Sequence, residues 1–192
     1  MDYITKDSGE RVEFTTGSLR DTQKGKPRID LIDLGFFHAV GRELHEHVEN
    51  TPPYLESYLY DHELILQLRS VQRIPSPSNV VTLTAYFINI HANKYEDTTF
   101  LCIPTTTWES MGNLLARGAE KYGANNWRKG QSLARSYSSM IRHFMQFYAG
   151  DVEEDHYSAV IFNLMSMWHV LSNKEDMPDE LFDLGAHCDN VR

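Results

Sequence analysis

Two helical patterns joined by a short turn decide the fold, in residues 132–171: SLARSYSSMIRHFMQFYAGDVEEDHYSAVIFNLMSMWHVL. Apolar side chains recur at helical spacing in Ser132–Ala149 and form one stripe: Tyr137, Met140, Ile141, Phe144, Phe147 and Tyr148. After Gly150 we predict a second helix, Asp151–Leu171, which is apolar nearly all round over Ala159–Trp168. A helix that is apolar on every side is buried. The tight turn predicts that these two helices run antiparallel, with the second in the interior.

Two further helices flank this pair along the chain. Trp108–Tyr122 has a helical pattern that ends at Gly123, a residue suited to a left-handed cap. Leu31–His47 has a second such pattern, which the prolines of Thr51-Pro52-Pro53 end because proline cannot continue a helix. The loop Asn125–Gly130 separates the helix Trp108–Tyr122 from the helix Ser132–Ala149.

The stretch between these helices has a different pattern. Tyr54–Val71 is predicted to be helical, whereas Val80–Ile90 and Thr98–Ile103 are rich in β-branched and aromatic residues and predict a hairpin. We therefore expect a mainly α protein in three parts: an N-terminal arm and first helix (1–48), an inserted α/β subdomain (49–106), and a helical core with a polar tail (107–192).

Composition narrows the class of protein. The 192 residues are 41% hydrophobic and 23% charged, as in ordinary globular proteins. No apolar stretch is long enough to span a bilayer, and the N-terminus has no signal-peptide pattern. Cys102 and Cys188 show no metal-finger spacing and are interpreted as reduced thiols of a cytoplasmic protein. The formal charge of −9 argues against a duplex nucleic-acid partner.

Charge is distributed unevenly along the chain. Between Leu115 and Met145 the sequence has one acidic residue, Glu120, and six basic residues: Arg117, Lys121, Arg128, Lys129, Arg135 and Arg142. Four carboxylates then fall within five residues: Asp151, Glu153, Glu154 and Asp155. A basic block followed by carboxylates suits a polyphosphate bridged by metal ions. The alternative interpretation is a solvated helix pair with complementary charges.

Spacing gives the acidic cluster two interpretations. On the predicted helix, Asp151, Glu154, Asp155 and Ser158 are three or four residues apart and share a face. Such carboxylates could bind Mg²⁺ or Mn²⁺, which prefer oxygen ligands. Alternatively, they complement the helix dipole, as acids do in any first turn. His143 and His156 are equally open, each as a metal ligand, a base contact or a structural hydrogen-bonding residue.

Two sequence blocks resemble the phage-type dATP/dGTP diphosphohydrolase family, which is related to MazG-like all-α pyrophosphatases. One block contains Gly118-Ala119-Glu120-Lys121-Tyr122-Gly123, Asn126-Trp127-x-Lys129-Gly130, Arg142-His143, Gly150-Asp151-x-x-x-Asp155-His156 and Asn163. The other is in the arm, from Thr16-Gly17-Ser18-x-Arg20-Asp21 through Gly25-Lys26-x-Arg28 to Asp30-Leu31-Ile32. The resemblance implies an antiparallel helical bundle that forms homo-oligomers and, if phage-encoded, acts in the host cytoplasm.

The resemblance also implies an activity and a site. The activity is metal-dependent hydrolysis of a purine deoxynucleoside triphosphate to the monophosphate and pyrophosphate, with Mg²⁺ or Mn²⁺ as cofactor. Glu120 and Asp155 are the expected principal metal ligands, with Asp151 and Glu154 as further ligands or a water-orienting base. Expected substrate contacts are Lys121, Arg128, Lys129 and Arg142 for phosphates; Asn126, Trp127, Asn163 and His143 for base or sugar; and Arg20, Lys26 and Arg28 for closure of the arm.

Two other functions are compatible with the same residues. A non-catalytic module that sequesters or senses a nucleotide would use the basic block and the Asn126-Trp127 loop without needing the carboxylates. A structural or host-interaction protein would use residues 49–106 as its working surface. In a purely structural interpretation, Trp127 caps the core and the cations of the arm tether it to the bundle.

Overall fold

Six α-helices make up most of what the computed structural model describes, namely residues 10–21, 25–50, 57–95 and 103–183. They are α1 (Leu34–Asn50), α2 (Ser57–Arg73), α3 (Pro77–Tyr95), α4 (Thr105–Tyr122), α5 (Leu133–Tyr148) and α6 (His156–Ser172). Strands β1 (Arg11–Glu13) and β2 (Leu19–Asp21) pair antiparallel, with Val12 opposite Arg20. The predicted mainly α class is therefore confirmed, and it is consistent with an all-α MazG-like bundle.

Helix α6 is the centre of the packing. Its side chains are buried around most of its circumference, including Val160, Ile161, Leu164 and Met165, each at most 1% exposed. It packs against α1, α3, α4 and α5. The continuous apolar run of residues 159–168 is thus matched by neighbours on several sides, as the sequence predicted.

Helix α3 corrects the predicted hairpin. Val80–Ile90 is helical rather than extended, and α3 packs against α1, α2 and α6. A short apolar run surrounded by other elements has no polar face, so its periodicity cannot separate a buried strand from a buried helix. The chain does carry a helix start signal here: Ser76 Oγ accepts from Asn79 N at 3.2 Å, and Pro77 is the first helical residue. Most of Thr98–Ile103 lies outside the described residues.

The start of α6 is a second correction. Asp151–Asp155 precedes the helix instead of forming its first turn, and Asp155 is the N-cap. The Asp155 carboxylate accepts from Ser158 N at 3.0 Å and from Ser158 Oγ at 2.7 Å. Asp151, Glu154, Asp155 and Ser158 therefore do not lie on one helix face. Capping propensity decided this boundary, because an Asp three residues before a Ser satisfies free N–H groups better as a cap than within the helix.

The arm is attached to the bundle through α4. Arg28 N donates to Gly112 O at 2.9 Å, and Pro27 lies where Gly112 has no side chain.

The buried side chains of α3 belong to the same hydrophobic cluster as those of α1 and α6. The three-part division at residues 48 and 106 stays a prediction. Among the described helices, none is both long and apolar enough to cross a membrane.

Candidate functional site

The loop between α5 and α6 presents the acidic cluster. Gly150 has a φ of +75°, which lets the chain leave α5 in a conformation that other residues rarely adopt. Asp151 Oδ1 then accepts from Glu153 N at 2.9 Å, which fixes the first carboxylate of the loop. Asp155 ends the loop as the α6 cap. The loop therefore holds four carboxylates against the first turn of the most buried helix.

Two buried histidines meet beneath this loop. His143 Nδ1, from α5, lies 2.9 Å from His156 Nδ1, at the first position of α6. Arg142 NH2 lies 3.1 Å from His143 Nε2, and a guanidinium can only donate, so that nitrogen is the acceptor. His143 therefore carries its proton on Nδ1 and donates it to His156 Nδ1. This contact between α5 and the start of α6 agrees with the antiparallel arrangement predicted for the two helices.

The same direction continues to a carboxylate. With Nδ1 accepting, His156 carries its proton on Nε2, which lies 3.3 Å from Asp151 Oδ2. The contact is close, but Nε2 is not aligned for a hydrogen bond and has no better partner. These contacts form one series. It begins at the exposed Arg142, passes through the buried His143 and His156, and ends at Asp151 in the loop.

Burial and neighbouring charges set the protonation of this series. Burial lowers the pKa of His143, with Arg142 acting in the same direction and Glu154 opposing them. The backbone N–H of Glu153 is the main cause that lowers the pKa of Asp151, with His156 contributing. At neutral pH the His143 imidazole is therefore neutral and the Asp151 carboxylate ionised, and each is able to bind a cation.

A cleft of about 990 Å³ lies over the acidic loop and the histidines. Its walls come from α4, α5, the loop and α6, and they combine two arginines, four carboxylates and both histidines. The polar and charged lining residues are Arg117, Gln131, Arg135, Ser136, Ser139, His143, Asp151, Glu153, Glu154, Asp155, His156, Tyr157 and Asn163. Charges of both signs in one open cleft suit a polyanion with its counter-cation.

A smaller cavity of about 340 Å³ adjoins the cleft. Most of its lining is apolar or aromatic, including Leu31, Leu115, Tyr122 and Trp127, with Asn125, Asn126 and Lys121 as polar members. Four residues line both spaces: Leu114, Arg117, Gln131 and Phe162. We call this space the apolar cavity. A ligand with a flat apolar part and a charged part would span the shared wall.

Eight of the predicted site residues line these two spaces. His143, Asp151, Glu154, Asp155 and Asn163 line the cleft, and Lys121, Asn126 and Trp127 line the apolar cavity. Trp127 is buried, with only 5% of its surface exposed. Asn163 donates to Ala159 O at 2.7 Å, so part of its amide is already engaged within α6. The structure thus brings together the predicted carboxylates and the predicted base-contacting loop.

The other predicted site residues lie elsewhere. Glu120, Arg128, Lys129 and Arg142 are exposed and line neither space. The arm residues line neither space either: Arg20 is exposed, and Lys26 and Arg28 are half-buried. Arg28 forms a two-pronged pair with Asp30, at 2.8 and 2.7 Å. Arg128 NH2 lies 3.8 Å from Asp33 Oδ2, and its guanidinium lies over the Trp127 ring. The Arg28–Asp30 pair is local to the arm, whereas the Arg128–Asp33 pair links the Asn126–Lys129 turn to the residue before α1.

Sequence reasoning overlooked Arg117, Gln131 and Arg135 as site residues. Arg117 and Gln131 border both spaces, and Arg135 lies within the cleft. Arg117 and Arg135 were visible only as members of the basic block, because nothing in their local pattern separates them from Lys129. Only the packing of α5 on α6 shows that Arg135 lies on the cleft side of α5, as His143 does.

Three side chains of the cleft could hold a metal ion. One donor atom each from His143, Glu154 and His156 lie within 4.8 Å of one another. Glu154 Oε2 is 3.9 Å from His143 Nδ1, and its side chain is 68% exposed while both histidines are buried. The group combines two buried nitrogen donors with one carboxylate that remains free to adjust.

The fold and the cleft define a helical protein whose site is built for a charged small molecule next to an apolar group. Residues 89–180 match the family model described as dATP/dGTP diphosphohydrolase, N-terminal. This match confirms the resemblance seen in the sequence. The match begins within α3 and includes the cleft, whereas the resembling arm residues lie outside it. No curated protein and no solved structure matches the chain.

Proposed function

We propose that this protein hydrolyses purine deoxynucleoside triphosphates, dATP or dGTP, to the monophosphate and pyrophosphate. The observation that carries the proposal is the apolar cavity opening beside a cleft that holds both arginines and carboxylates. The volume of about 340 Å³ is within the range of small-molecule sites. A purine in the cavity would direct its triphosphate into the cleft.

Each wall of the site has a role in this proposal. Trp127 and Asn126 contact the base, since an aromatic ring stacks on a purine and an amide can pair with its edge. Arg117 stands at the boundary of the two spaces and contacts the α-phosphate, while Arg135 contacts the phosphates further along. The proposal leaves out Glu120, which lies outside the cleft.

The reaction needs a positioned water and a stabilised leaving group. A carboxylate of the Asp151–Asp155 loop orients the water and accepts its proton as the new oxygen–phosphorus bond forms. The bond between the α-phosphorus and the oxygen that bridges it to the β-phosphorus breaks. The arginines stabilise the negative charge of the departing pyrophosphate. A divalent metal, held by loop carboxylates and histidines, would supply charge neutralisation and acidify the water when bound.

The proposal is tested with a panel of the four deoxynucleoside triphosphates, assayed with Mg²⁺ or Mn²⁺ and with products resolved by phosphorus NMR. We expect pyrophosphate and the monophosphate from dATP or dGTP, and little turnover of the pyrimidines. Release of inorganic triphosphate would contradict the proposed bond cleavage. Nucleotide binding without turnover under every condition would favour the sequestering or sensing module instead.

Matched arginine variants test the site itself. Arg135→Gln removes a cation from the cleft, and we expect kcat/KM to fall at least 10-fold because a charged contact to phosphate is lost. Arg42→Gln is the control: Arg42 is exposed on α1, which contributes none of its described residues to the cleft lining, and its guanidinium lies 3.7 Å from Glu46. Equal activity of the two variants would show that the substrate does not use the cleft.

A further inference from the structure

The chemistry of the donors in the cleft specifies which kind of ion it takes. We propose that His143, His156 and Glu154 bind one divalent transition-metal ion, such as Mn²⁺ or Co²⁺, in preference to Mg²⁺. The two Nδ1 atoms are 2.9 Å apart, and His143 Nδ1 is 3.9 Å from Glu154 Oε2. Ligands about 2.1 Å from a common ion are separated by no more than about 4.2 Å, so both of these distances fit one ion. The donor atoms of all three residues lie within 4.8 Å of one another, which a small movement of the exposed Glu154 side chain brings to that range.

His156 has a carboxylate next to the ring nitrogen opposite the proposed ion, although the two are not aligned for a hydrogen bond in this structure. Its Nε2 faces Asp151 Oδ2 at 3.3 Å, and Asp151 is fixed in turn by the Glu153 N–H at 2.9 Å. Metal-binding histidines usually direct their other ring N–H to a carboxylate, which fixes the tautomer and raises the basicity of the free nitrogen. The side chain of His156 is only 2% exposed, so its ring is held in this orientation, with Nδ1 directed at His143.

Binding at both Nδ1 atoms requires one rearrangement, and it is a local one. His143 donates from Nδ1 while Arg142 donates to its Nε2. An ion takes the place of the Nδ1 proton, so the ring shifts to the Nε2–H tautomer and Arg142 must release it. The proton moves from Nδ1 to Nε2 within the His143 ring, so no net proton is gained or lost. Arg142 is exposed and also contacts Ser139, so its guanidinium has other partners after release.

Two imidazole nitrogens and one carboxylate form a poor site for Mg²⁺. That ion prefers oxygen ligands and loses water reluctantly, whereas imidazole is a common ligand of divalent transition ions such as Fe²⁺, Ni²⁺ and Zn²⁺. Mn²⁺ has the lowest affinity of this series, so its binding is a demanding test of the site. The exposed carboxylate of Glu154 leaves further coordination positions open to water or phosphate oxygens. The catalytic meaning of the site rests on the proposed function, but ion binding itself needs no nucleotide.

The test uses the full chain without nucleotide, stripped with chelator and titrated with MnCl₂ while the EPR signal of free Mn²⁺ is recorded. We expect one bound ion, nitrogen-14 coupling from imidazole in pulsed EPR, and retention of Mn²⁺ in a 10-fold excess of Mg²⁺. His143→Ala and Glu154→Gln should each weaken binding at least 10-fold, and Asp151→Asn on the order of 10-fold or more. His38→Ala, an exposed histidine of α1, is the matched control and should bind like the parent.

Absence of nitrogen coupling, displacement of Mn²⁺ by equal Mg²⁺, or unchanged affinity in Glu154→Gln would overturn the proposal. Glu154→Gln keeps the test decisive if a histidine variant fails to fold, because that side chain is 68% exposed in a loop. Intact Mn²⁺ binding without hydrolysis of any triphosphate would refute the proposed function and leave the ion site standing. Hydrolysis that persists in a protein with no nitrogen-bound ion would refute the ion site and leave the proposed function standing.

Discussion

Asp155 has a structural role that its expected role as a metal ligand did not include. Both of its carboxylate oxygens accept hydrogen bonds from Ser158, one from the backbone N–H and one from the hydroxyl. The carboxylate therefore caps the N-terminus of α6. Each oxygen still has a further lone pair that is able to bind a metal ion. A loss of activity in an Asp155 variant would report on both roles at once.

Asp155→Ala should lower the free energy of unfolding by about 1 kcal/mol, since N-cap removal typically costs that much. Asp155→Ser should retain most of the stability, because serine is also a good N-cap. Urea denaturation followed by circular dichroism measures both. Glu153→Ala, at an exposed position in the same loop, serves as the control and should change stability little. If the alanine variant were as stable as the parent, the capping role would be wrong.

Tyr157 makes stability depend on alkaline pH. Burial raises the pKa of its phenol well above the usual value, and its hydroxyl shares a 2.8 Å hydrogen bond with Thr107. In the unfolded chain the phenol ionises near pH 10, whereas in the folded chain it stays protonated. The folded state then binds more protons, so stability falls as pH rises above about 10.

Tyr157→Phe should remove this part of the pH dependence. We expect the parent to lose stability more steeply than the variant between about pH 10 and pH 11, while the variant is somewhat less stable at pH 8 because the Thr107 contact is lost. Thermal melts across that range measure the two slopes. Parallel curves for the two proteins would show that the phenol ionises equally in both states.

At the scale of elements, α4 shows how one glycine positions the arm. A Cβ on Gly112 would lie 2.9 Å from Pro27 Cβ and 3.2 Å from Arg28 N, and neither a proline ring nor a backbone can move aside cheaply. A Cβ on Gly118, on the same helix, would meet nothing within 4 Å. The two positions have the same helix propensity and differ in their tertiary neighbours.

Gly112→Ala should therefore destabilise the protein on the order of 1 kcal/mol, because overpacking exceeds the gain in helix propensity. Gly118→Ala should stabilise it by about 0.5–1 kcal/mol, since only the propensity gain applies. Chemical denaturation of the pair provides the comparison. Stabilisation by both substitutions would mean that residues 27–29 do not pack on α4 in solution.

At the scale of the whole molecule, α3 joins the parts that the sequence separated. The Phe87 ring lies 5.9 Å from that of Phe144, 5.4 Å from Phe147 and 5.3 Å from Tyr157, so α3 packs against both helices that carry the histidines. The chain has three tryptophans, Trp108, Trp127 and Trp168, all outside residues 49–106. Their fluorescence therefore reports on the core alone.

Phe87→Ala should shift the tryptophan-monitored unfolding transition to lower urea, by about 3–5 kcal/mol in free energy, because a large buried ring is lost. Ile65→Ala, at a position of α2 that is 54% exposed, is the control and should leave the transition nearly unchanged. An unaltered tryptophan transition in Phe87→Ala would show that residues 49–106 unfold independently, as an inserted subdomain would.

Local sequence alone determined much of this protein. The stripe on α5, the apolar run of α6 and Gly123 after α4 fixed three helices, because hydrophobic periodicity and terminal residues act within a few positions of the chain. The motifs that resemble the family also led to Trp127, His143, Asp151 and Asn163, which all line the two spaces.

Tertiary structure alone decided the rest. Val80–Ile90 became a helix because α1, α2 and α6 surround it, and a segment without a polar face carries no periodicity to show its type. Arg135 joined the site and Lys129 did not, since only the packing of α5 on α6 determines which cation meets the cleft. The 2.9 Å contact between His143 and His156 likewise forms because burial brings two helices together. No sequence motif could have predicted that separation.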